Sequence, residues 1–140
     1  MTSRLTRALV AAELPVLDRH RLSMWGYSVL SALDRSPAGS QAALAEAIGA
    51  DKSRLIVVLD ELQARGLIER TPDPADRRSR LLAITVDGRQ LRASVSAEIQ
   101  RNEQRLLARL AAADRAAFLR ALEYLSALPA GDFRGGGQLS

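Results

Sequence analysis

Apolar residues recur at helical spacing almost from the start of the chain. Leu5, Leu9 and Val10 mark one face of a helix predicted over about residues 4–19. Pro15 inside it lacks an N–H and should kink or break the helix. A second helix is predicted from about Ser23 to Asp34, with Ser23 as its cap and Trp25, Val29, Leu30 and Leu33 at helical spacing. Arg35-Ser36-Pro37-Ala38-Gly39 reads as a turn. Two short helices follow. Ser40 caps the first, whose apolar residues are Ala43, Leu44, Ala47 and Ile48, and Gly49 ends it in the left-handed conformation that glycine adopts without strain. Asp51 caps the second, which runs to Arg65 and is ended by Gly66. Its inward face is Leu55, Val58, Leu59 and Leu62, and its outward face carries Ser53, Val57, Asp60 and Ala64, flanked by Arg54 and Ile56.

The period then changes. Leu67 to Arg70 and Arg80 to Thr85 read as short strands, joined by a polar, proline-stiffened loop over residues 71–79. Two helices close the pattern. One spans about Val86 to Ala111, with Leu91, Val95, Ile99, Leu106 and Leu110 as a stripe. The other begins near Asp114 and carries Phe118, Leu122, Leu125 and Leu128. A helix of ~25 residues reaches about 38 Å, more than a small domain requires, which points to packing against a second copy. Residues 129–140, rich in glycine, read as a flexible tail.

Composition narrows the chemistry. The chain has 140 residues, 47% of them hydrophobic and 4% aromatic, so a core of Leu, Ala, Val and Ile is expected. No cysteine is present, which excludes disulfides, thiolate metal sites and cysteine redox sensing. His20 is the one histidine, so a metal site is not expected, and no cofactor is implied. No apolar run approaches a membrane span and the first residues do not read as a signal peptide, so the expected location is cytoplasmic. No nucleophile and base, phosphate-cradling glycine loop or metal cluster is apparent, so an enzyme is not expected. The net charge of +4 permits DNA binding without establishing it.

Two short helices, a glycine turn and a charged hairpin make a winged helix-turn-helix pattern. A helix fits the major groove with its N-terminal residues at base edges, and a hairpin tip bearing arginines can enter the adjacent minor groove. The recognition helix is thus residues 51–65 and the wing residues 71–79. Lys52, Ser53 and Arg54 sit in the first turn of the former, where base and phosphate contacts are made. Val57 on the outward face suits a thymine methyl or, equally, rounds out packing. In the hairpin Arg77, Arg78 and Arg80 are offset by Asp73 and Asp76, and Asp76 can hold an arginine in a fixed pose.

These stretches resemble the MarR family of bacterial regulators. Leu62-Gln63-Ala64-Arg65-Gly66-Leu67-Ile68-Glu69-Arg70 is similar to the family's junction between recognition helix and wing. Asp73-Pro74-Ala75-Asp76-Arg77-Arg78, then Leu82, Ile84, Thr85 and Gly88, is similar to its wing and the start of its long helix. Leu22 to Leu33 and Leu44 to Gly49 also fit, so the resemblance covers roughly residues 20–95. It implies a mostly α fold with a small β-hairpin wing. Residues 1–22 and 88–128 would form a dimerisation region and residues 23–87 the DNA-binding region. Arg78 would be the minor-groove arginine, oriented by Asp76. Gln41, Lys52, Ser53 and Arg54 would face DNA. Many family members carry Thr then Arg where this chain has Ile56 and Val57, so its recognition surface is less polar.

The resemblance further implies a homodimer on an inverted-repeat operator in duplex DNA. It also implies repression released by a small aromatic or phenolic effector held between the DNA lobe and the dimer helices. His20, Trp25 and Tyr27 are the candidate effector contacts, although Trp25 and Tyr27 read most simply as packing residues and His20 as a boundary residue. The competing reading is a winged-helix module that binds proteins and has lost its DNA surface.

Overall fold

The computed structural model describes residues 2–134, without the side chains of Arg77 and Ser79. Its elements are α1 (Thr2–Arg19), α2 (Met24–Arg35), α3 (Gln41–Ile48), α4 (Lys52–Ala64), β1 (Ile68–Asp73), β2 (Asp76–Ile84), α5 (Val86–Leu107) and α6 (Ala112–Ser126). The chain divides between Ile99 and Gln100 into two compact units.

The caps of the central helices are those the sequence specifies. Ser23 Oγ accepts the Gly26 N–H at 2.9 Å, Ser40 Oγ the Ala43 N–H at 3.0 Å, and Asp51 Oδ1 the Arg54 N–H at 2.8 Å. Each bond satisfies a donor that has no partner within its helix. Gly49 (φ 70°) and Gly66 (φ 71°) end α3 and α4 in left-handed backbone that a side chain would strain.

The core of the first unit is aliphatic. Val16 and Leu17 of α1, Val29, Leu30 and Leu33 of α2, and Leu55, Val58, Leu59 and Leu62 of α4 are buried together with Leu82 and Ile84 of β2. Val95 and Ile99 of α5 join the same cluster, with Leu91 packed against it. Within α3 the inward residues are Leu44 and Ala45, whereas Ala43 and Ala47 are exposed. Alanine carries too little apolar surface to set a helix face when leucine competes for the core.

Two expectations are corrected, a break of the first helix at Pro15 and a loop over residues 71–79, and one turn gains a contact. α1 runs through Pro15 without interruption. Pro15 and Ala11 are both exposed, so water can serve the carbonyl that the missing N–H leaves open, and burial of Val16 and Leu17 holds the last turn in place. Residues 71–79 are mostly not loop. The strands pair from Ile68↔Ile84 out to Asp73↔Asp76, with a bulge between Pro72 and Asp73, so only Pro74 and Ala75 make the turn. β1, which carries Pro72, is an edge strand, where a proline can face its missing donor away from the ladder. The turn at 35–39 also takes part in the sheet, because Ala38 and Leu82 exchange N–H to carbonyl bonds of 3.0 and 2.9 Å.

The ends of the last helices shift as well. α5 stops at Leu107 rather than at Ala111, and α6 starts at Ala112. Within the stretch read as a tail, Ala130–Phe133 forms a turn of 3-10 helix, and residues 135–140 lie outside the described residues. The second unit leaves Leu106, Leu110, Phe118, Leu122 and Leu125 exposed, and no residue of α6 is buried.

Candidate nucleic-acid interface

The recognition helix is anchored on one side and open on the other. Leu55, Val58, Leu59 and Leu62 are at most 7% exposed, while Lys52, Ser53, Arg54, Ile56 and Val57 are all exposed. The open side therefore runs continuously from the capped N-terminus through the second turn. Asp51 takes the Arg54 N–H of this first turn, and the remaining N–H groups at the helix start, with Lys52 and Arg54 beside them, favour phosphate. Gln41 lies in the first turn of α3 and is half-buried.

Trp25, a candidate effector contact, stands beside an arginine of α4. It is half-buried in α2, and the Arg54 guanidinium carbon stands 5.8 Å from the centre of its ring. The ring thus offers a cation–π surface to an arginine of α4's first turn. Tyr27 is half-buried against the core. His20 Nε2 lies 3.0 Å from Glu98 Oε1, and Arg19 donates to Glu98 Oε2 at 2.7 Å. These bonds, from Arg19 first and then His20, hold the Glu98 carboxyl below its ordinary pKa.

The hairpin presents Arg78 and Arg80 as exposed side chains. Asp76 Oδ1 accepts the backbone N–H of Arg78 at 3.0 Å, and Asp73 Oδ1 accepts that of Ala75 at 2.9 Å. Both aspartates thereby shape the tip that displays the arginines. The side chain of Arg77 lies outside the described ones.

Other contacts escaped the sequence reading. Arg70 of β1 donates to Asp60 Oδ1 of α4 at 2.9 Å, joining the recognition helix to the hairpin. Arg65, at the end of α4, donates to the carbonyl of Arg21 and, at 3.1 Å, to that of His20. Asp34 of α2 pairs with Arg89 at 3.4 Å and Arg92 at 2.6 Å on α5. Asp60 and Arg70 were visible on the outward face and at the wing junction, but pairing across ten residues leaves no periodic signal. A cleft of about 360 Å³ lies where α2 begins beside α4. Leu22, Gly26, Val58 and Leu62 line it together with Arg21 and Arg65, whereas His20, Trp25 and Tyr27 do not.

Comparison with known proteins agrees with this geometry. The MarR family model matches residues 22–79. The chain is 35% identical over 99 residues to a putative transcriptional regulatory protein for the hcr operon of Thauera aromatica, a match spanning 71% of this chain but only 60% of that protein. It is 31% identical over 107 residues to the transcriptional regulator HosA of Escherichia coli, spanning 76% of each. Among solved structures, the transcriptional repressor CouR bound to a 23-mer DNA duplex superimposes with a TM-score of 0.73 at 31% identity, covering 89% of each chain.

Proposed function

The chain belongs to the MarR family of transcription regulators, and on that premise we propose that it is a homodimeric, sequence-specific reader of duplex DNA. In each subunit α4 lies in the major groove and the hairpin tip in the adjacent minor groove. Lys52, Ser53 and Arg54 meet base edges and phosphates from the first turn of α4, and Gln41 meets them from α3. Arg78, with Arg77 and Arg80 beside it, serves the minor groove from a tip shaped by Asp76. The observation that carries this reading is the division of α4 into a fully buried face and a continuous open face that begins at a capped, cationic N-terminus.

Residues 1–22 and 88–128 supply the dimer contacts in this reading, and residues 23–87 the DNA lobe. Large apolar side chains left exposed on α1 (Leu5, Val10, Leu14) and in the second unit support a partner copy. The likeness to a DNA-bound repressor supports repression. A small aromatic or phenolic effector would release the protein by preferring the state that cannot span two half-sites. Its role is regulatory rather than catalytic, and chromosomal DNA puts its work in the bacterial cytoplasm. No helix of the described residues is long and apolar enough to cross a membrane.

The test is selection of genomic duplex fragments by the purified protein, followed by titration of the best fragment at two salt concentrations. A tight complex on an inverted repeat that weakens steeply with salt is expected, because phosphate contacts release counterions. Absence of any selected sequence would overturn the reading.

A further inference from the structure

Ile56 and Val57 are not absorbed by the fold. They are 47% and 62% exposed in the second turn of α4, while Leu55, Val58, Leu59 and Leu62 already fill the buried face. That settles the choice for Val57 between packing and an outward role. Two adjacent β-branched apolar residues in the open face of a helix have a cost on both counts, since they favour helix less than their straight-chain alternatives and leave apolar surface in water.

The surroundings say what kind of surface would cover them. Lys52 and Arg54 precede the pair on the same helix, Ser53 lies one turn before Val57, and the hairpin of the same unit displays Arg78 and Arg80. The two carboxylates on this side are engaged, Asp51 by the Arg54 N–H and Asp60 by Arg70, so the charge around the pair is mainly cationic and complementary to a polyanion rather than to an apolar protein face. In the major groove of DNA, one base carries an apolar group at its edge, the C5-methyl of thymine.

We propose that Ile56 and Val57 read thymine C5-methyl groups, so that each half-site of the operator carries a thymine opposite Val57. The inference rests on the DNA-reading function above and adds the base and the chemical group that are recognised. At this point of the groove the protein selects by methyl burial, where a polar side chain would select by hydrogen bonding. Fixed pairing and a fixed phosphate backbone make the effect separable from every other contact.

The experiment replaces each thymine of the selected operator in turn by deoxyuridine, which keeps the base pair and O4 and removes only the methyl. Affinity is measured by fluorescence anisotropy at constant salt. At one or two positions per half-site the replacement should weaken binding roughly three- to fivefold, the worth of one buried methyl group. Val57→Ala, which should fold normally because the side chain is exposed, should bind the thymine operator more weakly and no longer distinguish it from the deoxyuridine form. Ile56→Ala is measured in parallel. The proposal is overturned if a sequence-selective operator exists but deoxyuridine is neutral at every position. It is equally overturned if both alanine variants keep the full discrimination. If no operator is selected at all, the DNA-reading function falls, and this inference falls with it.

Discussion

In the proposed interface, Arg78 and Asp60 divide the work between contact and positioning. Arg78 is exposed at a hairpin tip whose backbone is held by Asp76, so its replacement should leave the fold intact. Arg78→Ala is expected to weaken operator binding by more than about 1 kcal/mol while sedimentation still reports a dimer. Unchanged affinity would remove this arginine from the DNA contact. Asp60 offers a test of opposite sign. Electrostatics alone predicts tighter DNA binding when a carboxylate beside the groove is neutralised. The bond from Arg70 to Asp60, however, ties the hairpin to the recognition helix. Asp60→Asn should therefore weaken operator binding, by about 0.5–1 kcal/mol given the exposure of the pair. A gain in affinity would show that the bond does not position the wing.

At the scale of elements, the first half of the long helix α5 is tied to the rest of its unit at its start, through Asp34, and again at Glu98. Near its start, Gly88 approaches so closely that a Cβ there would lie 2.1 Å from the Leu67 carbonyl oxygen and 2.7 Å from Ile84 Cγ1. Thr85 Oγ1 adds bonds to the Gly66 carbonyl at 2.6 Å and from the Gly88 N–H at 3.1 Å. Gly88→Ala must push backbone against backbone, and a loss of about 2–3 kcal/mol in urea unfolding is expected. A stability loss within 0.5 kcal/mol, on the order of an ordinary surface change, would contradict the close approach. Farther along, Glu98 joins α5 to Arg19 and His20 at the end of α1. Its folded pKa is depressed from 4.5, so its stabilisation is complete above that value and is lost as pH falls through the folded value. Glu98→Gln should accordingly be less stable than the parent at neutral pH, and the difference should shrink below about pH 4.5. A difference that persists undiminished into acid would assign the effect to packing instead.

At the scale of the whole molecule, the exposed apolar residues carry the argument for association. Leu122 is 49% exposed and Leu125 50% exposed on α6, a helix with no buried residue. A surface of that kind is stable in water when a second copy covers it. Sedimentation equilibrium is expected to show a dimer, and Leu122→Glu to shift it towards monomer and to reduce operator affinity together. A folded monomer at micromolar concentration in the parent protein would overturn the two-lobed reader, since one lobe spans one half-site.

Local signals fared best where the physics is local. The caps at Ser23, Ser40 and Asp51, the stops at Gly49 and Gly66, and the leucine face of α4 each depend on residues within one or two turns. The resemblance carried by residues 62–70 and 73–78 supplied the family. The break expected at Pro15 and the loop expected around the hairpin prolines failed for a common reason: the cost of a missing N–H falls when the orphaned group faces water or a free strand edge, and exposure is a tertiary property. Only the tertiary structure decided that Ala38 pairs with Leu82, that Arg70 reaches Asp60, and that Glu98 meets His20. It also decided that Val57 stands in the open. Contacts between residues far apart in the chain leave no periodicity to read, since the folded backbone brings them together after the local choices are made.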